Sequence, residues 1–148
     1  MNREILFKAK RKDNGKWVEG YYIYHIKRTI CPLGDSVKPE DEQHVIMQDG
    51  FSDWNMPRGT VVYEIDPDTL CQYTGLADEN GKKIWENDIV KTDECTLDLN
   101  NGIGKVMFYE GIWYLDGNIQ NSLYDLYRDG EIEVIGSIFD DKELLEVE

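Results

Sequence analysis

The side chains best suited to metal binding or nucleophilic catalysis are few and widely spaced in this 148-residue chain. Its cysteines are Cys31, Cys71 and Cys95, and its histidines are His25 and His44. Zinc sites draw such ligands at short, regular spacings, for example C-x-x-C or H-x-x-x-H. The sequence contains neither spacing, so we expect no metal site and no bound cofactor.

Motifs for covalent catalysis and phosphate binding are also missing from the sequence. No serine lies in a G-x-S-x-G motif. Residues 102–105 contain two glycines and a lysine, but they lack the spacing and the Ser or Thr of a phosphate loop. An enzyme would have to bring His25 or His44 together with carboxylates through the fold. We therefore predict that the protein has no catalytic residues and is not an enzyme.

Charge is the most extreme property of the sequence, with 16 basic and 30 acidic side chains and a net charge of −14. This balance argues against duplex DNA as a partner, because phosphate neutralisation dominates affinity for nucleic acids. The acidic side chains could instead imitate DNA and inhibit a nucleic-acid enzyme, or they could only keep the protein soluble. The candidate acidic face comprises Asp93, Glu94, Asp98, Asp140, Asp141 and Glu143.

The N-terminal segment has the opposite charge, since residues 1–30 contain eight basic and three acidic side chains. Basic and aromatic residues on one hairpin could bind single-stranded nucleic acid by stacking its bases. The same cations could also pair with acidic segments of this chain or of a neighbouring subunit. The residues concerned are Lys8, Lys10, Arg11, Lys12, Lys16, Trp17, Tyr21 and Tyr22.

Composition predicts a mainly β fold with tight turns, because the chain has two alanines but nine tyrosines, four tryptophans and thirteen glycines. Asn14-Gly15, Asn80-Gly81 and Glu110-Gly111 mark hairpin turns, and we expect a type I′ turn at Asn80-Gly81. Apolar residues recur at helical spacing only over residues 118–128.

The sequence also bears on cellular location. No apolar run exceeds four residues, which predicts that the chain does not cross a membrane. The first residues lack the features of a secretory signal. Three cysteines, an odd number, fit reduced thiols better than a disulfide framework. We therefore expect a cytoplasmic protein.

One set of residues in the middle of the chain and two smaller sets near its ends form a recognisable pattern. The residues are 65–69, 72–76, Asp78, 80–82, Ile84, Glu86 and 88–90, with Trp17 and Gly20 before them and 133–136, Ile138 and 143–145 after them. In this pattern the chain resembles the YopX-like family of bacteriophage and prophage proteins. It departs from the family at Cys71, at Asn87, where the resemblance leads us to expect glycine, and at Ser137.

The resemblance implies a mostly β fold with an SH3-like barrel, a homo-oligomer, and an origin in a phage of a Gram-positive host. It implies no known activity. We expect one domain over residues 1–148, consisting of an N-terminal hairpin (1–30), a variable loop region (31–59) and a barrel part (60–148). The barrel is expected around residues 66–115.

The leading hypothesis is a non-enzymatic, self-associating protein-interaction module with a host or phage protein as partner. Trp54 lies in a loop-like segment and is a candidate interface anchor. Gln72 and Tyr73 are further candidate interaction residues, although a structural role for both stays open. The alternatives are the acidic DNA mimic and the single-strand binder.

Overall fold

A computed structural model describes residues 1–92, 102–117, 120–129 and 132–146. Antiparallel strands dominate it, which confirms the predicted mainly β class. The chain forms two units: an N-terminal unit, Ile5–Leu70, and a C-terminal unit, Cys71–Glu148 together with Met1–Glu4.

The N-terminal unit contains four antiparallel strands in the order β4-β3-β2-β1. Ala9, Val18, Ile46 and Ile65 form its buried core. Gly20 lets two strands of this sheet approach closely, because a Cβ at this position would collide with the backbone oxygen of Met47. The strands are β1 (Phe7–Lys10), β2 (Trp17–Ile26), β3 (Glu42–Asp49) and β4 (Thr60–Glu64), and 3-10 turns cover Pro39–Asp41 and Pro67–Thr69.

An arginine organises the long connection between β2 and β3. Arg28 Nε donates to Asp41 Oδ1 at 2.8 Å, and its Nη1 donates to Asp35 Oδ2 at the same distance. The two carboxylates also accept backbone N–H groups, since Asp35 binds those of Cys31 and Ser36, and Asp41 binds that of Lys38. The guanidinium and these N–H groups lower the pKa of Asp35 to about 2 and lower the pKa of Asp41.

The C-terminal unit contains the hairpin of β5 and β6 and a five-stranded antiparallel sheet in the order β10-β9-β8-β7-β11. A short helix and a C-terminal 3-10 turn, Lys142–Leu145, complete it. The bounds are β5 (Cys71–Ala77), β6 (Lys83–Trp85), β7 (Asp88–Thr92), β8 (Gly102–Tyr109), β9 (Ile112–Gly117), β10 (Gln120–Ser122), α1 (Leu123–Asp129) and β11 (Ile132–Ser137).

The expected SH3-like barrel is not found, because the sheet of the C-terminal unit is open within the described residues. Its buried face is covered by α1, which contributes Leu123 and Leu126 to the core. Because the helix covers this face, the core residues of the sheet are buried even though its two end strands, β10 and β11, do not pair with each other. The predicted helix is shorter than expected, since Gln120–Ser122 pairs with β9 as a strand.

The turn at Asn80-Gly81 is not type I′, which requires positive φ at both central residues. Gly81 has φ of 80°, but Asn80 is not in the positive-φ region. A carboxylate explains the difference, because Asp78 Oδ1 accepts the N–H groups of Asn80 and Lys82, both at 2.9 Å. Glu110 and Gly111 do have positive φ, 49° and 86°, and join β8 to β9.

Asn87 departs from the glycine that the resemblance leads us to expect, and it adopts a backbone conformation that glycine also favours. Its φ is 68°, in the left-handed region that asparagine tolerates better than most residues. Its side-chain nitrogen also lies 3.8 Å from the sulfur of Cys71, another departure from the family pattern. The two departures therefore contact each other.

We predict that Arg28 stabilises the N-terminal unit in a pH-dependent way. The lowered pKa of Asp35 means that its stabilising contribution is complete above the unfolded pKa of about 4 and disappears as the pH falls through about 2. Urea unfolding of wild type and Arg28→Gln between pH 7 and pH 2 measures the difference. That difference should shrink as the pH falls.

Arg58→Gln is the matched control for this series. Arg58 lies 3.7 Å from Asp49, and both side chains are about two-thirds exposed. Exposed pairs of this kind contribute little, so this variant should unfold like the wild type. A difference between Arg28→Gln and wild type that stays constant down to pH 2 would contradict the assignment.

We also predict that Asp78 is essential for the stability of the C-terminal unit. Asp78 is 7% exposed, and its Oδ2 accepts the N–H of Val134 at 3.0 Å in addition to the two turn N–H groups. Asp78→Ala should lower the free energy of unfolding by on the order of 3 kcal/mol, because buried donors lose their acceptor. Asp78→Asn should lose less, and Glu133→Ala, at an exposed position of β11, should lose almost nothing.

Candidate interaction surfaces

A ten-residue loop, residues 50–59, connects β3 to β4 and is called here the Trp54 loop. The N–H of Gly50 donates to the carbonyl of Gly59 at 2.8 Å and closes the loop at its base. The N–H of Met56 donates to the carbonyl of Asp53 at 3.2 Å, with Asn55 at a φ of 64°. This bond and the positive φ define a tight turn with Trp54 at its tip.

The Trp54 loop presents large apolar side chains to solvent. Trp54 is 93% exposed, Phe51 is 96% exposed and Met56 is 63% exposed. Burial of a tryptophan or phenylalanine side chain removes about 150–250 Å² of surface from water, so these two rings leave a large apolar area exposed to solvent. Trp54 was a sequence-based candidate, whereas Phe51 was not singled out despite its similar position among Gly, Ser and Asp.

Gln72 and Tyr73 lie in β5 of the C-terminal unit, and both are half-buried. The ring of Tyr73 packs against that of Trp85, with centroids 5.4 Å apart. The N–H of Gln72 donates to Glu86 Oε1 at 3.3 Å, and its carbonyl accepts the N–H of Glu86 at 2.9 Å. The ring contact supports the structural role for Tyr73 that the sequence left open, whereas the contacts of Gln72 are made by its backbone and the role of its side chain stays a prediction.

The candidate acidic face is only partly within the described residues. Asp93, Glu94 and Asp98 lie outside them. The remaining members lie around the turn that follows β11. Asp140 and Glu143 are exposed, whereas Asp141 is half-buried and accepts the N–H of Ser137 at 3.2 Å.

The negative charge is concentrated in the C-terminal unit. This unit has 7 basic and 19 acidic side chains, whereas the N-terminal unit has 9 basic and 11 acidic ones. Some of these carboxylates are buried. Asp78 accepts N–H groups of the turn between β5 and β6. Asp88, which is 3% exposed, accepts the N–H of Trp85 at 2.8 Å. Part of the charge therefore satisfies backbone donors rather than forming an outer surface.

The basic residues of the N-terminal hairpin contact aromatic rings of their own unit. Lys8 Nζ lies 4.6 Å from the centroid of the Trp17 ring, and Lys10 Nζ lies 5.3 Å from it. The guanidinium of Arg11 lies 4.2 Å from the Tyr63 ring centroid. These cations therefore lie over the faces of the Trp17 and Tyr63 rings, where a nucleic-acid base would have to stack.

Acidic neighbours pair with two of the same basic residues. Arg11 forms an ion pair with Asp13, and Lys12 lies 3.2 Å from Glu64. This arrangement fits the alternative in which the basic segment pairs with acidic residues of its own chain.

The histidines contact polar residues on strands of the N-terminal unit. His44 Nδ1 lies 2.6 Å from the Tyr22 hydroxyl, and the ring of His25 is hydrogen-bonded to Gln43. The Tyr24 hydroxyl donates to Glu42 at 3.0 Å, a hydrogen bond that raises the pKa of Tyr24. Among the described residues, no group of three or more His, Cys, Asp and Glu side chains could hold a metal ion.

A second exposed apolar surface lies on the hairpin of β8 and β9 and is called here the β8–β9 groove. It has a volume of about 460 Å³ and is lined by Met107, Tyr109, Glu110, Ile112, Tyr114 and Asp116. Sequence reasoning missed it, because both faces of this hairpin carry apolar residues. Within the described part of the chain, no helix is long and apolar enough to span a membrane.

Comparison with known proteins gives a family but no activity. No curated protein matches the chain. A crystal structure of protein EF1440 from Enterococcus faecalis is similar, with 24% sequence identity and a TM-score of 0.47, over 97% of this chain and 99% of that one. The family model described as YopX protein matches residues 6–146. Because this match spans nearly the whole sequence, the chain belongs to the YopX protein family.

Proposed function

We propose that the protein is a non-enzymatic interaction module that self-associates through the Trp54 loop. The observation that carries this proposal is the nearly complete exposure of Phe51 and Trp54 on one closed loop. Soluble proteins rarely leave contiguous apolar patches uncovered unless these patches bind something.

The burial of these rings would contribute favourably to association. Burial of one such ring removes about 150–250 Å² from water, which corresponds to about 4 to 6 kcal/mol at roughly 25 cal/mol per Å². Association costs about 4–15 kcal/mol in lost freedom, so two or more rings are needed. A loop that is already closed at its base has less conformational entropy to lose on binding.

The surroundings of the loop suit an apolar contact between copies of the chain. Arg58 lies near Asp49, which leaves little net charge at the base of the loop. The strand that follows the loop, β4, is at the end of the strand order in its unit and exposes Val61 and Val62. A two-fold interface brings the same patch of both copies together, so this apolar surface would meet its own copy, and the homo-oligomer implied by the family resemblance supports such a contact.

The proposal includes a cellular setting. The protein acts in the bacterial cytoplasm, is encoded by a phage or prophage, and has a host or phage protein as a further partner. Support for this setting comes from the family membership and from the reduced thiols expected from the cysteine count.

Self-association is tested by analytical ultracentrifugation over a wide concentration range. We expect a reversible oligomer whose dissociation constant rises by at least about tenfold in Trp54→Ala, because a buried interface tryptophan is a typical hot spot. Phe51→Ala should have a similar effect, and the double variant should be monomeric at the highest concentration.

Leu33→Ala is the matched control, because Leu33 is 87% exposed in a different loop of the same unit. This variant should sediment like the wild type. A wild type that stays monomeric at every concentration, or an oligomer that is indifferent to Trp54, would refute self-association through this loop.

A second candidate function is the acidic DNA mimic, which the excess of twelve acidic side chains in the C-terminal unit favours. It predicts that a DNA-handling enzyme is recovered from host lysate at low salt and is released by added duplex DNA. Asp140→Asn with Glu143→Gln should weaken this recovery. Recovery that is insensitive to salt would exclude the mimic. Single-strand binding has less support, since the cations beside Trp17 and Tyr63 already contact these rings.

A further inference from the structure

The β8–β9 groove is an apolar surface whose position is fixed by the core beneath it. On its outer face, Tyr109 lies opposite Ile112 and Met107 lies opposite Tyr114. On the inner face, the neighbouring pair of Val106 and Leu115 is fully buried. The inner pair holds both strands in place, so the outer residues form a ladder with a defined spacing.

The outer face is covered at one side and open at the other. Ile89 of β7 lies opposite Lys105 on this face and is fully buried, and the C-terminal 3-10 turn contacts β8. At the tip of the hairpin, Tyr109 is 55% exposed and Ile112 is 50% exposed. The apolar ladder therefore continues from a covered part of the sheet into solvent.

Carboxylates stand at both ends of the groove. Glu110 is in the turn, and Asp116 is four residues beyond Ile112, about 13 Å along an extended strand. Lys105 lies opposite Asp116 and offsets its charge, so the acidic character is strongest at the Glu110 end. The excess of twelve acidic residues in the same unit adds to this negative potential.

We propose that the β8–β9 groove binds a peptide segment of a partner protein in which Arg or Lys alternates with aliphatic residues. A cation above the face of Tyr109 or Tyr114 gains a cation–π interaction, and its aliphatic stem packs on apolar surface. Met107 adapts its shape to different aliphatic neighbours. Glu110 supplies the opposite charge.

Other classes of ligand fit the groove less well. Nucleic acids and acidic lipid headgroups are repelled by the charge of the C-terminal unit. A purely apolar segment would cover the Glu110 carboxylate and supply no opposite charge to it, and such desolvation is unfavourable. The proposal is independent of self-association through the Trp54 loop, which belongs to the other unit.

The experiment is a titration of the ¹⁵N-labelled full-length protein with the peptide acetyl-Val-Arg-Val-Arg-Val-amide, followed by NMR. We expect saturable shifts of the backbone amides of β8 and β9, with a dissociation constant below about 1 mM. Tyr109→Ala should weaken binding about tenfold, Tyr109→Phe should bind like the wild type, and Glu110→Gln should weaken binding about threefold. High salt should reduce the effect of Glu110.

The control variant is Tyr124→Ala, because Tyr124 is 57% exposed on α1 of the same unit. It should leave the dissociation constant unchanged. The proposal is overturned if the shifts are absent, lie outside the hairpin or are indifferent to Tyr109. It is also overturned if peptides with Gln or Glu in place of Arg bind equally well, or if the same amides shift when the protein alone is concentrated, which would identify a second copy as the occupant.

Discussion

A buried carboxylate holds the C-terminal unit together. Asp78 receives N–H groups from the turn between β5 and β6 and from Val134, which lies 56 residues further along the chain. This side chain therefore fixes the turn of one hairpin and connects that hairpin by a hydrogen bond to β11, an end strand of the five-stranded sheet. Ile84 of β6 then packs in the same core as Val90, Val106 and Leu115.

Acidity has two physical roles in this protein. Inside the C-terminal unit, Asp78, Asp88 and Asp141 accept backbone N–H groups that tight turns leave without a ladder partner. Outside it, exposed carboxylates such as Glu143 create the field that a charged partner would meet. The net charge alone cannot separate these roles, because both kinds of carboxylate count equally toward it.

The sequence was informative where structure is local. Composition and Gly-containing turns predicted the β class and the hairpins, and a loop composition placed Trp54 outside the strands. It failed where a particular contact decides: the Asn80-Gly81 turn depends on the hydrogen bonds to the Asp78 carboxylate, and the core of the open sheet includes residues of α1. It also missed the β8–β9 groove, since Phe108 and Tyr109 are both apolar, and alternation cannot tell which face of such a hairpin is buried.

The hydrogen bond between Gly50 and Gly59 has a consequence for how the protein can evolve. Because it closes the loop at its base, the eight residues between the two glycines can change in type or number without shifting the register of β3 against β4. Under the proposed function, folding and partner choice are then encoded in separate stretches of the chain. Mutations in this loop would then exchange one partner for another without altering the sheet that carries the loop.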